Sequence, residues 1–93
     1  MEDRAAPDPE DVRIGTTIRA LRNALGWKLG ELAAAVGRSH AYLSNIEAGR
    51  KRCPGWLARK IAEALGVPVG AIVSPGYDTA PITAPIATDR QSA

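Results

Sequence analysis

The sequence predicts an all-α fold of five short helices, and three observations predict it. Apolar residues recur at steps of four and three over residues 14–25. Glycines at 26, 37, 49 and 66 cut the chain beyond that stripe into helix-length pieces. Hydrophobic residues make up 45% of the chain but aromatic ones only 4%, with no Phe, so Leu, Ile, Val and Ala must fill the interior. Aliphatic interiors of this kind favour packed helices, and no alternating strand pattern is present.

The first helix is expected to begin near Asp11. Ile14, Ile18, Leu21 and Leu25 form one apolar stripe, with Arg13, Arg19 and Arg22 between them, and Gly26 ends it. The second lies in "WKLGELAAAVG", where Leu29, Leu32, Ala33 and Val36 share a face and Gly37 closes the stretch. Two turns are unstable alone, so this helix must pack on neighbours. Gly30 weakens it by ~1 kcal/mol relative to Ala. Ser39 suits the N-cap of the third helix. Leu43 and Ile46 are its buried pair, Tyr42 flanks them, and His40, Ala41, Ser44 and Asn45 fall on the other side. Gly49 stops it. Pro54 suits the first turn of the fourth helix, which Trp56, Leu57, Lys60, Ile61, Ala64 and Leu65 continue to Gly66. Trp27 reads as core. Trp56 either caps the core or stands at a dimer contact. Cys53 reads as a small filler before Pro54. A fifth short segment, "VGAIV", comes after Pro68 and ends at Pro75 and Gly76. The expected organisation is a flexible acidic arm at 1–11, one domain at 12–74, and a disordered Ala/Pro/Thr tail at 75–93.

Ninety-three residues hold one small domain. Its net charge of +2 is unevenly spread. Residues 1–11 carry five acids against Arg4, which is −4. Residues 12–73 carry ten Lys or Arg against Glu31, Glu47 and Glu63, which is +7. A domain that basic expects a polyanion or an acidic protein surface. A single cysteine cannot make an internal disulfide, which points to a reducing, cytoplasmic location. No apolar run approaches the ~18 residues of a membrane span, and the acidic opening "MEDRAAPDPED" is no secretory leader. One His and one Cys cannot furnish a zinc site, and no glycine-rich phosphate cradle occurs. His40 and Cys53 lack an orienting third group, so neither catalysis nor a cofactor is expected.

The second helix, Gly37 and the third helix form a helix-turn-helix. The outward face of the third helix carries short polar side chains, which can reach base edges when a helix lies in the major groove. Asn can pair with adenine through both amide groups, His can donate to guanine acceptors, Ser can do either, and the Ala41 methyl could touch a thymine methyl. No acidic side chain occurs on this face before Glu47.

The run "IRALRNALGWKLGELAAAVGRSHAYLSNIEAGRKRCPGWLARKIAEALGVPVGAIV" resembles the lambda-repressor-like helix-turn-helix domain of the Cro and phage-repressor type. The most specific pieces are "ELAAAVG", then S-x-x-Y-L-S-x-I-E-x-G, then K-x-x-P, then "IAEALGV". The resemblance implies five helices, with the third in the major groove and the second across the backbone. It implies two-fold dimers on paired half-sites. By position it makes His40, Ala41, Ser44 and Asn45 base-contacting, and Arg50, Lys51 and Arg52 a phosphate-contacting loop. Lys28 and Arg38 are further phosphate candidates. It also implies an internal ion pair between Arg22 and Glu47. One departure stands out: Lys28 and Leu29 occupy positions where many members have Ser or Thr followed by Gln. The function expected is a sequence-specific regulator that binds double-stranded DNA, a repressor occupying an operator as a homodimer. The alternative is a protein-interaction module, an antitoxin or transcription-machinery adaptor, using the C-terminal tail.

Overall fold

The computed structural model describes residues 8–74 and residue 77. Four α-helices and one short 3-10 turn succeed one another in order: α1 (Pro9–Ala24), α2 (Leu29–Val36), α3 (His40–Glu47), α4 (Gly55–Leu65) and the turn Val69–Ala71. Among the described residues there is no strand. The expected fifth helix is thus a single tight turn. Pro68 leaves only a short apolar piece before Ser74, too little for a helix to propagate.

The first helix begins earlier than its apolar stripe suggests. The Asp8 side chain accepts from the Glu10 amide at 2.7 Å, and Pro9 takes the first turn, where its missing N–H costs nothing. Residues 9–11, expected in the acidic arm, are therefore helical. Glu10 and Asp11 then face the positive end of the helix. The stripe closes on Ile14 and Ile18, both fully buried, while Leu25 is 49% exposed. Leu25 comes just after the last helical residue and so leaves the stripe.

The core also takes in Leu32, Ala33, Val36, Leu43, Ile46, Leu57, Ile61 and Ile72. Cys53 is buried at its edge, in the filler position expected of it. Each fully buried Leu or Ile contributes about 1.5–3 kcal/mol relative to exposure, so α2 persists through packing rather than propensity. Its start is helped by the Lys28 amide, which donates to Glu31 Oε1 at 2.8 Å. Trp27, expected in the core, is half-buried and packs against it. One contact differs from what the sequence suggested. Tyr77, expected in the tail, packs against the core and donates from its hydroxyl to the Cys53 carbonyl at 3.0 Å. The rest of the predicted tail, and the first seven residues of the arm, lie outside the described residues.

Candidate nucleic-acid interface

Gly37 sets the angle between α2 and α3. Its φ of +76° lies where side chains with a Cβ are strained, and it lets the Gly37 and Arg38 amides return to α2 carbonyls. Ser39 then opens α3: its hydroxyl accepts from the Tyr42 amide at 3.0 Å. With the start fixed, the register of α3 is set by its inward residues. Leu43 and Ile46 are fully buried and turn the opposite face outward.

That outward face carries His40 and Ala41, both exposed, and Ser44 and Asn45, both half-buried. Asn45 is engaged: its Oδ1 accepts from Arg50 Nε at 2.9 Å. The amide nitrogen of Asn45 can still donate, and Oδ1 has a second lone pair. Arg50 is therefore more than a loop cation, since it fixes which way the Asn45 amide points.

Beneath α3, Arg22 and Glu47 form a buried forked pair. Arg22 Nε and Nη2 donate to the two Glu47 oxygens at 2.6 and 3.0 Å, and Nη1 donates to the Trp27 carbonyl at 2.9 Å. The side chains are only 10% and 6% exposed. The hydrogen bond to Glu47 holds the Arg22 guanidinium above its ordinary value. This cluster ties together α1, the corner before α2, and the last turn of α3. It uses all three guanidinium nitrogens, so this arginine is structural.

Five further cations flank the two helices: Lys28 at the start of α2, Arg38 in the turn before α3, and Arg50, Lys51 and Arg52 in the loop after it. All are exposed. Three of them lie on aromatic rings. The Arg38 guanidinium carbon is 4.8 Å from the Trp56 ring centre and 5.4 Å from that of Tyr42; Lys51 Nζ is 5.3 Å from Tyr42. Arg52 lies 4.7 Å from Tyr77. Trp56 neither caps the core nor hides; it is 39% exposed. These ring contacts were not expected from the sequence. Arg38 and Tyr42 are close in the chain, but Arg38 precedes the N-cap residue Ser39, so helical spacing alone does not join them. Trp56 comes from the next helix and gave no local signal.

Among the described residues no group of three or more His, Cys, Asp or Glu could hold a metal ion. No helix among them is long and apolar enough to cross a membrane. The chemistry on display is a helix of hydrogen-bonding groups framed by cations.

Residues 13–72 match the model of a family described as a helix-turn-helix domain. The HTH-type transcriptional regulator SutR of Escherichia coli is 37% identical over 68 residues, 73% of this chain and 38% of SutR. An uncharacterized HTH-type transcriptional regulator of Mycobacterium tuberculosis is 41% identical over 56 residues, 60% of this chain and 22% of that protein. The chain thus spans well under half the length of either relative. Among solved structures, the clp gene regulator ClgR of Corynebacterium glutamicum superposes with a TM-score of 0.67 at 34% identity, covering 70% of this chain and 84% of that one. The restriction-modification controller protein C.AhdI of Aeromonas hydrophila gives 0.68 at 26% identity, covering 71% of this chain and 100% of that one.

Proposed function

Because this chain belongs to the Cro/C1-type helix-turn-helix family of transcriptional regulators, we propose that it binds double-stranded DNA sequence-specifically and represses by occupying an operator as a homodimer. The observation that carries this reading is the two-faced α3. One face is locked into the core by Leu43, Ile46 and Glu47. The other offers His40, Ala41, Ser44 and Asn45 to a groove. Lys28, Arg38, Arg50, Lys51 and Arg52 supply the phosphate contacts, and α3 reads bases in the major groove. Two copies related by a two-fold axis would read two half-sites about one helical turn apart. The domain taking part is residues 12–74 of the sequence reading, extended at its start by the first turn of α1. Its work is recognition rather than catalysis, as in the regulators to which it is similar.

Selection from a random duplex library, combined with footprinting, tests this directly. The expected result is one enriched, near-palindromic site protected on one face of the duplex. Asn45→Ala should cost about 1–3 kcal/mol at one position of each half-site and relax base choice there. An Asn45→Ala protein that ranks every site variant as the parent does would remove α3 as the reader. Repeating the binding without residues 75–93 tests the alternative, a partner-binding role for the tail. Loss of a protein partner with DNA affinity intact would favour that role.

A further inference from the structure

Trp56 has an exposed ring on the first turn of α4 and no place in the core. It does have a partner. The Arg38 guanidinium lies over it and also approaches the Tyr42 ring, which Lys51 approaches in turn. The run Trp56, Arg38, Tyr42, Lys51 alternates ring and cation across the turn before α3, α3 itself, the loop after it, and the start of α4. Tyr42 is anchored within this run, because it packs against the core and its amide is held by Ser39.

Two features make this run suited to a polyanion. Like charges crowd the same ring, which costs free energy in the unbound protein; the negative ring faces offset part of it. A guanidinium lying on a ring also keeps its in-plane N–H groups available, whereas one in a salt bridge has used them. Among the described residues neither Arg38 nor Lys51 pairs with a carboxylate. Arg22 shows the contrast, since it is buried and each of its three guanidinium nitrogens already donates, to Glu47 or to the Trp27 carbonyl.

We propose that Trp56 and Tyr42 are positioning residues that hold Arg38 and Lys51 as a pre-ordered clamp for a DNA phosphate beside α3. The proposal rests on the DNA-binding reading above and deepens it. Stacking removes rotamer freedom from two long side chains before the DNA arrives, so less is lost on binding. Trp56 touches no base in this scheme, so its effect is the same on every sequence.

The test uses the full chain and a random-sequence duplex at low salt, with affinity measured across a salt series for the parent, Trp56→Ala, Trp56→Phe, Arg38→Ala and the Trp56→Ala/Arg38→Ala double variant. Thermal melts and sedimentation without DNA accompany each protein. Arg38→Ala should lower the slope of log K against log salt by about 0.9. Trp56→Ala should weaken binding roughly two- to five-fold, the loss of one exposed cation–π contact, while Arg38 keeps its charge and the slope stays near the parent's. Trp56→Phe should recover most of the affinity, and adding Trp56→Ala to Arg38→Ala should cost nothing further. An undiminished Trp56 effect in the Arg38→Ala background overturns the clamp. So does a Trp56→Ala protein that sediments as a smaller species, which would make the ring a subunit contact. If the parent binds no duplex at all, the DNA reading fails first; if it binds and the two losses simply add, only the clamp fails.

Discussion

Arg22 and Glu47 show how much one pair of side chains can decide. Both are buried, and each satisfies the other's charge. Such a pair adds little net stability over apolar residues of the same size, but breaking it strands a buried charge. Glu47→Ala should therefore destabilise the domain by about 3–5 kcal/mol in urea unfolding. A Glu47→Leu/Arg22→Met double variant should recover most of that loss and still bind DNA less well, since the orientation of α3 is less tightly held. A Glu47→Ala protein that unfolds at the parent's urea midpoint would mean the pair is solvated in solution. The Arg22 side of the pair contributes no pH dependence near neutrality. Its folded value is raised, so its share of stability is complete below the ordinary guanidinium value and is lost only as pH climbs through the higher folded one. At this scale the sequence was legible in part. The outward residues of α3 can be read from helical spacing against Leu43 and Ile46. The hold of Arg50 on Asn45 cannot, because it depends on the path of the loop through Gly49.

Glycines inside helices test how elements meet. Gly15 sits mid-α1 where that helix crosses the end of α3. A Cβ there would run into the Ile46 and Glu47 carbonyl oxygens, which are backbone and cannot swing aside. Gly30 sits in the first turn of α2, where a Cβ would find only the His40 ring edge at 3.8 Å, an ordinary contact. The same substitution should thus have opposite signs. Gly15→Ala gains at most ~1 kcal/mol of helix propensity but loses about 1–3 kcal/mol to overpacking, so it should lower the melting temperature. Gly30→Ala should raise stability by up to ~1 kcal/mol with DNA affinity unchanged. Circular dichroism melts of the two proteins decide it, and a stabilised Gly15→Ala would show that α1 and α3 do not approach so closely in solution. From the sequence both residues look alike, as poor helix formers in apolar stripes. Helix positions were readable because each helix has its own period and stop. The close approach of α1 to α3 was not, since no local pattern records which neighbour a helix touches. The fifth segment fails for the opposite reason: its apolar residues were real, and Ile72 is fully buried, but burial did not need a helix to achieve it.

Charge is the property of the whole molecule that the sequence exposes most directly. Ten cations against three acids between residues 12 and 73 give +7, and five of those cations are exposed at the start of α2, in the turn before α3 and in the loop after it. Arg22 is withdrawn from this set by Glu47, which a count of charges cannot foresee. The remaining arrangement makes a quantitative demand. If Lys28, Arg38, Arg50, Lys51 and Arg52 each neutralise one phosphate, log K should fall with log salt at a slope of about −4.5 per protomer, and twice that for a dimer on two half-sites. Removing the Arg52 charge with Arg52→Ala should flatten the slope by about one unit per protomer on specific and random duplexes alike. Asn45→Ala, by contrast, should leave the slope alone and narrow the gap between specific and random DNA. Filter binding or fluorescence anisotropy over a salt series separates the two. A slope near −1 per protomer, with Arg52→Ala unchanged, would mean that these cations serve solubility and that α3 meets something other than a phosphate backbone.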